Sequence, residues 1–398
     1  MTTNKEIKGL LSFASNSPGT PTGYGQQAEY LTNRIAQTGI DLAIMSNFGN
    51  EGRIQNLKIR GKKVPHYPRS FSGYSVDTLP INHEHWKSRN SELLKDAIFI
   101  LYDSWVYNEN PALDEIPIII WAPIDHITMP PRVAQFLKKP NVTVVAMAPD
   151  GQEQLQAAGI ESTYIPHGID TKVYKPTDTI RGRSVKEFLQ VEDDTFLVGM
   201  VAANKSNGLV HRKAFAENIL AFSMFQREHP EAKLYIHSEA SRSMGGFNLV
   251  NLLKSTGIPP KSVIFPDPLD LRYGLDRKDL AAIYSGFDVL LAPSYGEGFG
   301  VPTIEAQACG TRVIVSSWAA SKDLAGPNSW QVSGVPFWDE PQTAWFKAPL
   351  PDSIAKALEL AYEAPRGVDQ ESIKFAAQFD EAKLWREKWE PFFRDYFA

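Results

Sequence analysis

Apolar and polar positions divide the chain into two successive series of short apolar runs and longer amphipathic stretches. In the first series, residues 9–14 form a compact apolar run that reads as a buried strand. A stretch rich in Gly, Pro, Ser and Thr follows at 15–25, and then Ala28, Leu31 and Ile35 recur at helical spacing across 27–38. Gly39 stands where that helix would end, and 41–45 begins another strand. Apolar runs at 97–102, 116–122 and 142–146 read as further buried strands. The second series begins near Thr195, with strand candidates at 196–202, 233–237, 262–265, 289–292 and 312–315 and helix candidates at 212–228, 279–285 and 302–308. Between the two series, 170–183 reads as a linker, punctuated by Pro176 and Gly182. The last stretch, 381–397, sets Leu384, Trp385, Trp389, Phe392 and Phe393 on an amphipathic helix that must dock on something.

Strands separated by helices predict parallel, doubly wound α/β sheets. With 398 residues the chain is too long for one ordinary domain and fits two Rossmann-like ones. Two such domains facing one another would leave a cleft lined by the carboxyl ends of both sheets, where ligands of these sheets bind. The loops after the first strand of each half, and those entering late helices, are therefore the places to look for chemistry.

Composition narrows the class. The chain is 43% apolar and 22% charged, as soluble globular proteins are. A net charge of −5 argues against a surface that is basic throughout, while leaving room for a local basic patch. Cys309 is the one cysteine, so no intrachain disulfide forms, which suits a reducing compartment. The opening MTTNKEIKGLLSF lacks the apolar core of a signal peptide, and no apolar run approaches the length of a membrane span. A cytoplasmic protein is expected. No metal-ligating constellation stands out. Asp193 and Asp194 lie in a polar turn, Asp267 and Asp270 in a proline-rich loop, and His83 and His85 gather no further ligands. No cofactor motif is present either.

The segment SYGEGFGVPTIEAQACG, residues 294–310, carries the strongest local signal. A strand runs into a turn containing Gly296, Gly298 and Gly300, and a helix follows with Pro302 in its first turn. Glycines let backbone approach a ligand, and the free N–H groups of the turn and helix start suit a diphosphate. Glu297 and Glu305 read either as acceptors for the hydroxyls of a sugar nucleotide or as a solvated side chain and a partner of the helix dipole, and the dense glycine context favours the first.

This segment resembles the donor signature of retaining GT-B glycosyltransferases, and family 4 (group 1) in particular. Glu297, Gly298, Phe299, Gly300, Glu305, Ala306 and Gly310 match in place, with the two Glu separated by seven residues. The resemblance implies that Glu297 holds hydroxyls of the donor sugar and Glu305 the ribose. It places the diphosphate on the N–H groups near Phe299, Gly300 and Val301. YIPHGIDTKVYKP, 164–176, resembles the family's interdomain element. In AANKSNGLVHRKAFAENILAF, 202–222, the family presents two cations to the diphosphate. Lys213, from the Arg212–Lys213 pair opening a helix, is the best candidate, and Lys205 is a candidate for the other. SPGTPTGYGQQAEYL resembles the glycine-rich loop of the N-terminal half. There Gly23 and Gly25 would let the loop approach the donor phosphate and the acceptor, and Tyr24 would line the acceptor side. WAPIDHITMPP places Asp125 and His126 where the family often carries a functional His or Asp near the anomeric carbon. The residues do not choose between them, and Asp103 is a weaker third candidate.

The resemblance implies a two-domain GT-B fold. An acceptor-side domain would span 1–178, with the helix at 381–398 packing back on it, and a donor-binding domain would span 179–380. It implies metal-independent, retaining transfer of a sugar from a nucleotide-diphosphate donor to a hydroxyl acceptor. A GT-B 2-epimerase, a phosphorylase and a non-catalytic sugar-nucleotide or glycan-binding protein are the competing readings. Arg53, Lys58, Arg60, Lys62, Lys63 and Arg69 occur with no intervening acid, and His66, Tyr67 and Phe71 lie among or beside them. That segment reads either as a solvated hairpin with charged edges or as a contact for a polyanionic acceptor such as modified DNA. Two stretches, TPTGYGQQ and IPHGID, also resemble glycosyltransferases encoded by bacteriophages, some of which decorate hydroxymethylated bases. A glycan is the other acceptor considered.

Overall fold

The computed structural model describes residues 7–90, 94–206, 210–242 and 245–398. The chain divides into two compact units. Unit 1 comprises Met1–Ile124, Met129–Gly168 and Glu381–Ala398; unit 2 comprises Asp125–Thr128 and Ile169–Asp380.

Unit 1 is built from β1 (Lys8–Asn16), α1 (Gly23–Ile35), β2 (Gly39–Phe48), β3 (Gln55–Ile59), β4 (Lys62–Tyr67), α2 (Leu79–Lys87), β5 (Asp96–Ile100), β6 (Ile118–Ala122), α3 (Pro131–Leu137), β7 (Val142–Ala146), α4 (Pro149–Ala157) and β8 (Ser162–Tyr164). Its described strands form one sheet in the order β3-β4-β2-β1-β5-β6-β7-β8. All pairings are parallel except the β3–β4 hairpin at one edge. Leu10, Ile98, Ile118, Ile120 and Val144 of the central strands are buried in one core. This explains why these strands read as continuous apolar runs rather than alternating ones.

The helix α1 starts at Gly23, earlier than the expected 27. The Thr22 side chain accepts from the Gly25 N–H at 3.0 Å and caps it. Gly23, Tyr24 and Gly25 therefore form the first helical turn rather than a loop. A Cβ on Gly25 would lie 2.0 Å from Thr20 Oγ1 and 2.6 Å from Thr20 O, so tight loop packing explains this glycine.

Unit 2 follows with β9 (Thr179–Ile180), β10 (Arg183–Ser184), α5 (Val185–Phe188), β11 (Leu197–Val201), α6 (Phe215–Glu228), β12 (Lys233–His237), α7 (Leu249–Thr256), β13 (Val263–Ile264), α8 (Pro268–Tyr273), α9 (Arg277–Ser285), β14 (Val289–Leu291), α10 (Val301–Ala308), β15 (Arg312–Ser316), α11 (Ala319–Asp323), β16 (Trp330–Val332), β17 (Gly334–Asp339), β18 (Ala344–Pro349), α12 (Pro351–Glu363) and α13 (Gln370–Ala376). Its main sheet is parallel, in the order β13-β12-β11-β14-β15-β16. Val198, Leu234, Ile236, Val289, Leu291 and Ile314 fill its core. A separate antiparallel hairpin pairs β17 with β18. The stretch read as a linker is folded onto this unit instead. Tyr174 and Ile180 are buried, and the Tyr174 N–H donates to Asp170 O.

The chain then returns to unit 1 as α14 (Glu381–Leu384), a π-helical turn over Trp385–Trp389, and α15 (Glu390–Tyr396). Trp389 packs edge-on against Trp121 at 4.8 Å between ring centroids, and Phe393 lies 6.2 Å from Phe99. Arg34 grips Glu381 with two hydrogen bonds of 3.0 and 2.7 Å. Aromatic burial and this bidentate pair fix the terminal helix.

Candidate active site

Several charged side chains of unit 2 gather around the turn that follows β14. Ser294 anchors the start of that turn. Its N–H donates to Ser316 Oγ at 3.0 Å, and Ser316 Oγ donates back to Ser294 O at 2.5 Å. A Cβ on Gly296 would lie 2.1 Å from Asp125 O and 2.8 Å from Phe346 Cδ1, so only glycine admits residue 125 this close. Gly300 has φ +123°, a conformation that favours glycine, and its Cβ-free backbone begins α10. No side chain caps that helix, and Pro302 occupies its first turn. Phe299 is buried and meets Phe379 edge-on at 5.8 Å, and Gly298 and Val301 are buried beside it.

From this turn a chain of alternating charges extends. Glu297 accepts from Lys213 Nζ at 2.6 Å and from Arg212 Nη1 at 2.8 Å. Arg212 Nη1 also donates to Gly296 O at 2.5 Å, and its Nε lies 3.8 Å from Asp125 Oδ2. Asp125 Oδ1 faces His126 Nδ1 at 2.7 Å, and His126 Nε2 faces Asp339 Oδ2 at 3.1 Å. Phe346 stacks on the imidazole at 3.7 Å with a 27° tilt. Glu297 is 13% exposed and His126 5%, whereas Arg212, Lys213 and Asp125 retain about a quarter of their side-chain surface.

Arg212 and Lys213 do not open a helix. Ala214, with φ +49°, breaks helical geometry, and α6 starts at Phe215. Both cations thus project from a loop, pinned by the Tyr295 N–H donating to Arg212 O at 2.8 Å.

Electrostatics follow from this geometry. Burial pushes the Glu297 carboxyl up, but the Arg212 and Lys213 charges outweigh it and hold the group below its ordinary value. Burial lowers Lys213, with Glu297 opposing. For Asp125 burial is again the largest influence and raises it, yet His126 and Arg212 together leave it lowered. Burial depresses His126, while Asp125 and Asp339 overcome that and raise it. The net effect favours the charged forms of Glu297, Asp125 and His126 and loosens the proton of the Lys213 ammonium.

The remaining expected residues have other partners. Glu305 is 4% exposed inside α10 and accepts from Tyr284 Oη at 2.9 Å. Burial, with the adjacent Glu305 charge, pushes the Tyr284 hydroxyl well above its ordinary value, so it remains a donor. Lys205 is exposed and pairs through its backbone with Gly245; it is not drawn into the cluster. Its neighbour Asn204 is buried, and its amide donates to the carbonyls of Glu239, Ser241 and Phe247. In unit 1, Tyr24 meets Tyr102 and His167 edge-on at 5.9 and 6.3 Å. Asp103 caps no helix with its side chain and belongs to unit 1. His83 and His85, close in sequence, diverge: His83 bonds Ser12 and Asp96, and His85 bonds Tyr67. Asp125 and Asp339 address opposite ring nitrogens of His126, so they do not converge. Among the described residues no group of three or more such side chains is placed to hold an ion.

Sequence reasoning missed Asp339 and Phe346. The signal for them is the alternation in GVPFWD and AWFKAP, which reads as a hairpin; nothing local says that its inward face meets residue 126.

Known proteins share parts of this plan. Residues 195–343 match the family model described as "Glycosyl transferases group 1". The D-inositol 3-phosphate glycosyltransferase of Mycobacterium ulcerans is 26% identical over 152 residues, covering 38% of this chain and 29% of that protein. The chain therefore spans less than a third of that relative's length. Sucrose-phosphate synthase from Thermosynechococcus elongatus superposes with a TM-score of 0.72 at 17% identity, over 98% of this chain and 99% of the other. Anabaena HepE, in complex with UDP and glucose, superposes with a TM-score of 0.63 at 14% identity, over 97% and 99%. At such identities the likeness is one of fold, and that fold is GT-B, with two Rossmann-like α/β domains.

Proposed function

We propose that the chain is a metal-independent, retaining glycosyltransferase that takes its sugar from a nucleotide-diphosphate donor bound by unit 2. One observation carries this: Arg212 and Lys213 converge on Glu297 at a glycine-rich turn whose helix has no side-chain cap. The group 1 family match over 195–343 and the UDP bound by HepE support it. In this reading the diphosphate takes the two cations and the N–H groups near Phe299, Gly300 and Val301. Glu297, released from them, accepts from hydroxyls of the sugar, and Glu305 accepts from the ribose. As the bond to the anomeric carbon breaks, charge grows on the leaving diphosphate, where preorganised cations stabilise it most. A donor phosphate oxygen takes the acceptor's proton, so no enzyme nucleophile is needed. Unit 1 supplies acceptor recognition.

The test is a donor panel incubated with the protein in EDTA, reading nucleoside diphosphate release. Release from one donor, abolished by Glu305→Ala, is expected. No release from any donor, with or without acceptors, combined with tight binding of the free nucleotides, would favour a binding protein instead.

For the acceptor, one feature of unit 1 favours a polyanion such as hydroxymethylated DNA over a neutral glycan. Lys58 and Lys63 are directly opposed across β3–β4, and among the described residues Arg53, Lys58, Arg60 and Lys63 have no ion-pair partner. Like charges facing one another across a hairpin destabilise it unless an anion sits over them. Binding of hydroxymethylated DNA that weakens steeply with salt is expected; salt-insensitive binding of a glycan would remove this acceptor.

A further inference from the structure

We infer that Asp339 is a positioning residue of the site, and that the β17–β18 hairpin holds His126 as a doubly bonded, fixed imidazolium beside the donor's charged groups. The inference rests on the glycosyltransferase reading only for its kinetic consequence.

The geometry argues for the charge directly. A neutral imidazole has one N–H and one bare nitrogen. Here each ring nitrogen faces a carboxylate oxygen, at 2.7 Å on Asp125 and 3.1 Å on Asp339. With both carboxylates ionised, a neutral ring would set one lone pair against an acceptor. Only the imidazolium donates to both. Phe346 covers one ring face at 3.7 Å, which fixes the ring plane. Beyond Asp125 stands Arg212, and beyond Arg212 stand Glu297 and Lys213. Glu340, next to Asp339, accepts from Trp338 Nε1 instead of facing the ring.

The hairpin is built for this contact. Along β17 and β18, Phe337, Asp339 and Phe346 share one face, while Trp338 and Trp345 share the other and are partly exposed. Trp345 O accepts from the Ile127 N–H at 3.1 Å, and the Lys347 N–H donates to Tyr295 O at 3.0 Å. One hairpin therefore ties residues 126–127 to the turn bearing Glu297. Held this way, His126 does not serve as a general base. It adds a fixed positive charge and orients Asp125 toward Arg212.

The experiment uses the full chain. The His126 imidazole is followed by NMR against pH in wild type and Asp339→Asn, and kcat and donor KM are measured across the same range. In wild type the ring is expected to titrate above the ordinary 6.5, and in the variant markedly lower. The variant's kcat should fall about tenfold with donor KM within about twofold. The alkaline limb of its pH–rate profile should move to lower pH, and Asp339→Glu should restore part of both. An unshifted titration, or a loss of thermal stability with an unmoved pH profile, overturns the inference. Should Asp339→Asn not fold, a wild-type ring that titrates at or below 6.5 overturns it as well. The titration needs no substrate, so it decides the Asp339 contact even if no donor is turned over.

Discussion

The loop after β1 and the turn after β14 both lead a parallel strand into a helix through glycines, yet they are surrounded by different chemistry. Around the first stand hydroxyls, amides and rings: Asn16 donates to Thr22 at 2.8 Å and accepts from Tyr102 at 2.7 Å, and Tyr24 packs edge-on to Tyr102. Around the second stand Lys213, Glu297, Arg212 and Asp125 in a charge-paired series. In the first, Gly25 makes room for Thr20 of its own loop; in the second, Gly296 makes room for Asp125, a residue distant in sequence. Glycine marks close backbone approach in both places. At Gly296 alone of the two, that approach lies beside paired charges.

The largest effect that separates the two regions is expected on the charged side. Replacing Lys213 with Ala removes one of two cations proposed for the leaving diphosphate. Turnover should fall by about 10²–10³, the usual loss for one preorganised stabilising group. The melting temperature should change less than turnover, because Glu297 keeps its second partner, Arg212. Normal turnover with intact donor affinity would remove Lys213 from this role.

A subtler outcome concerns Glu297. Without donor, its carboxylate occupies the cations that a diphosphate would need. Glu297→Gln should therefore abolish transfer while tightening the binding of free nucleoside diphosphate. Two partly exposed pairs together contribute about 1–2 kcal/mol, so the gain is roughly tenfold. Calorimetry measures it; weaker binding by the variant would mean that Glu297 does not compete with the diphosphate. The same pairs set a pH dependence. Glu297 is depressed, so its contribution to stability is present above the ordinary 4.5 and is lost as pH falls through its lower folded value.

These two regions also show what could be read from the chain alone. The parallel strands were legible because burial on both faces writes them as unbroken apolar runs, as at Ile118–Ala122. Glu297 and Gly300 of the charged turn were legible because one strand–turn–helix carries them within a few residues. Boundaries decided by side chains were not. Thr22 starts α1 early, and Ala214, at a positive φ that no spacing rule anticipates, releases Arg212 and Lys213 from α6. Asp339 was invisible because its partner is His126, far away in sequence, and a lone Asp at a hairpin end has no local signature.

On the uncharged side, Gly25→Ala should cost stability rather than chemistry. The added methyl would overlap Thr20 Oγ1 and the Thr20 carbonyl, and relieving that means shifting loop backbone. A loss of about 1–3 kcal/mol is expected from overpacking, read as a lower denaturation midpoint. A Gly25→Ala protein as stable as wild type but unable to turn over donor would make this glycine a ligand contact and bring the two loops into one class.

The smallest effect is expected at the far edge of the unit 1 sheet. There the opposed lysines of β3–β4 serve either to guard the edge against pairing or, as proposed, to contact an anion. Lys58→Gln separates the two, because it removes one of two opposed lysines. If the pair only guards the edge, relieving the repulsion raises the melting temperature slightly and leaves DNA affinity alone. If the pair contacts phosphate, the slope of log affinity against log salt should shrink by about one. The stability gain would be the same in both cases, so only the slope discriminates. A slope unchanged by Lys58→Gln, Lys63→Gln and the double variant would leave the charged turn of unit 2 as the region of the two that the sequence built for an anion.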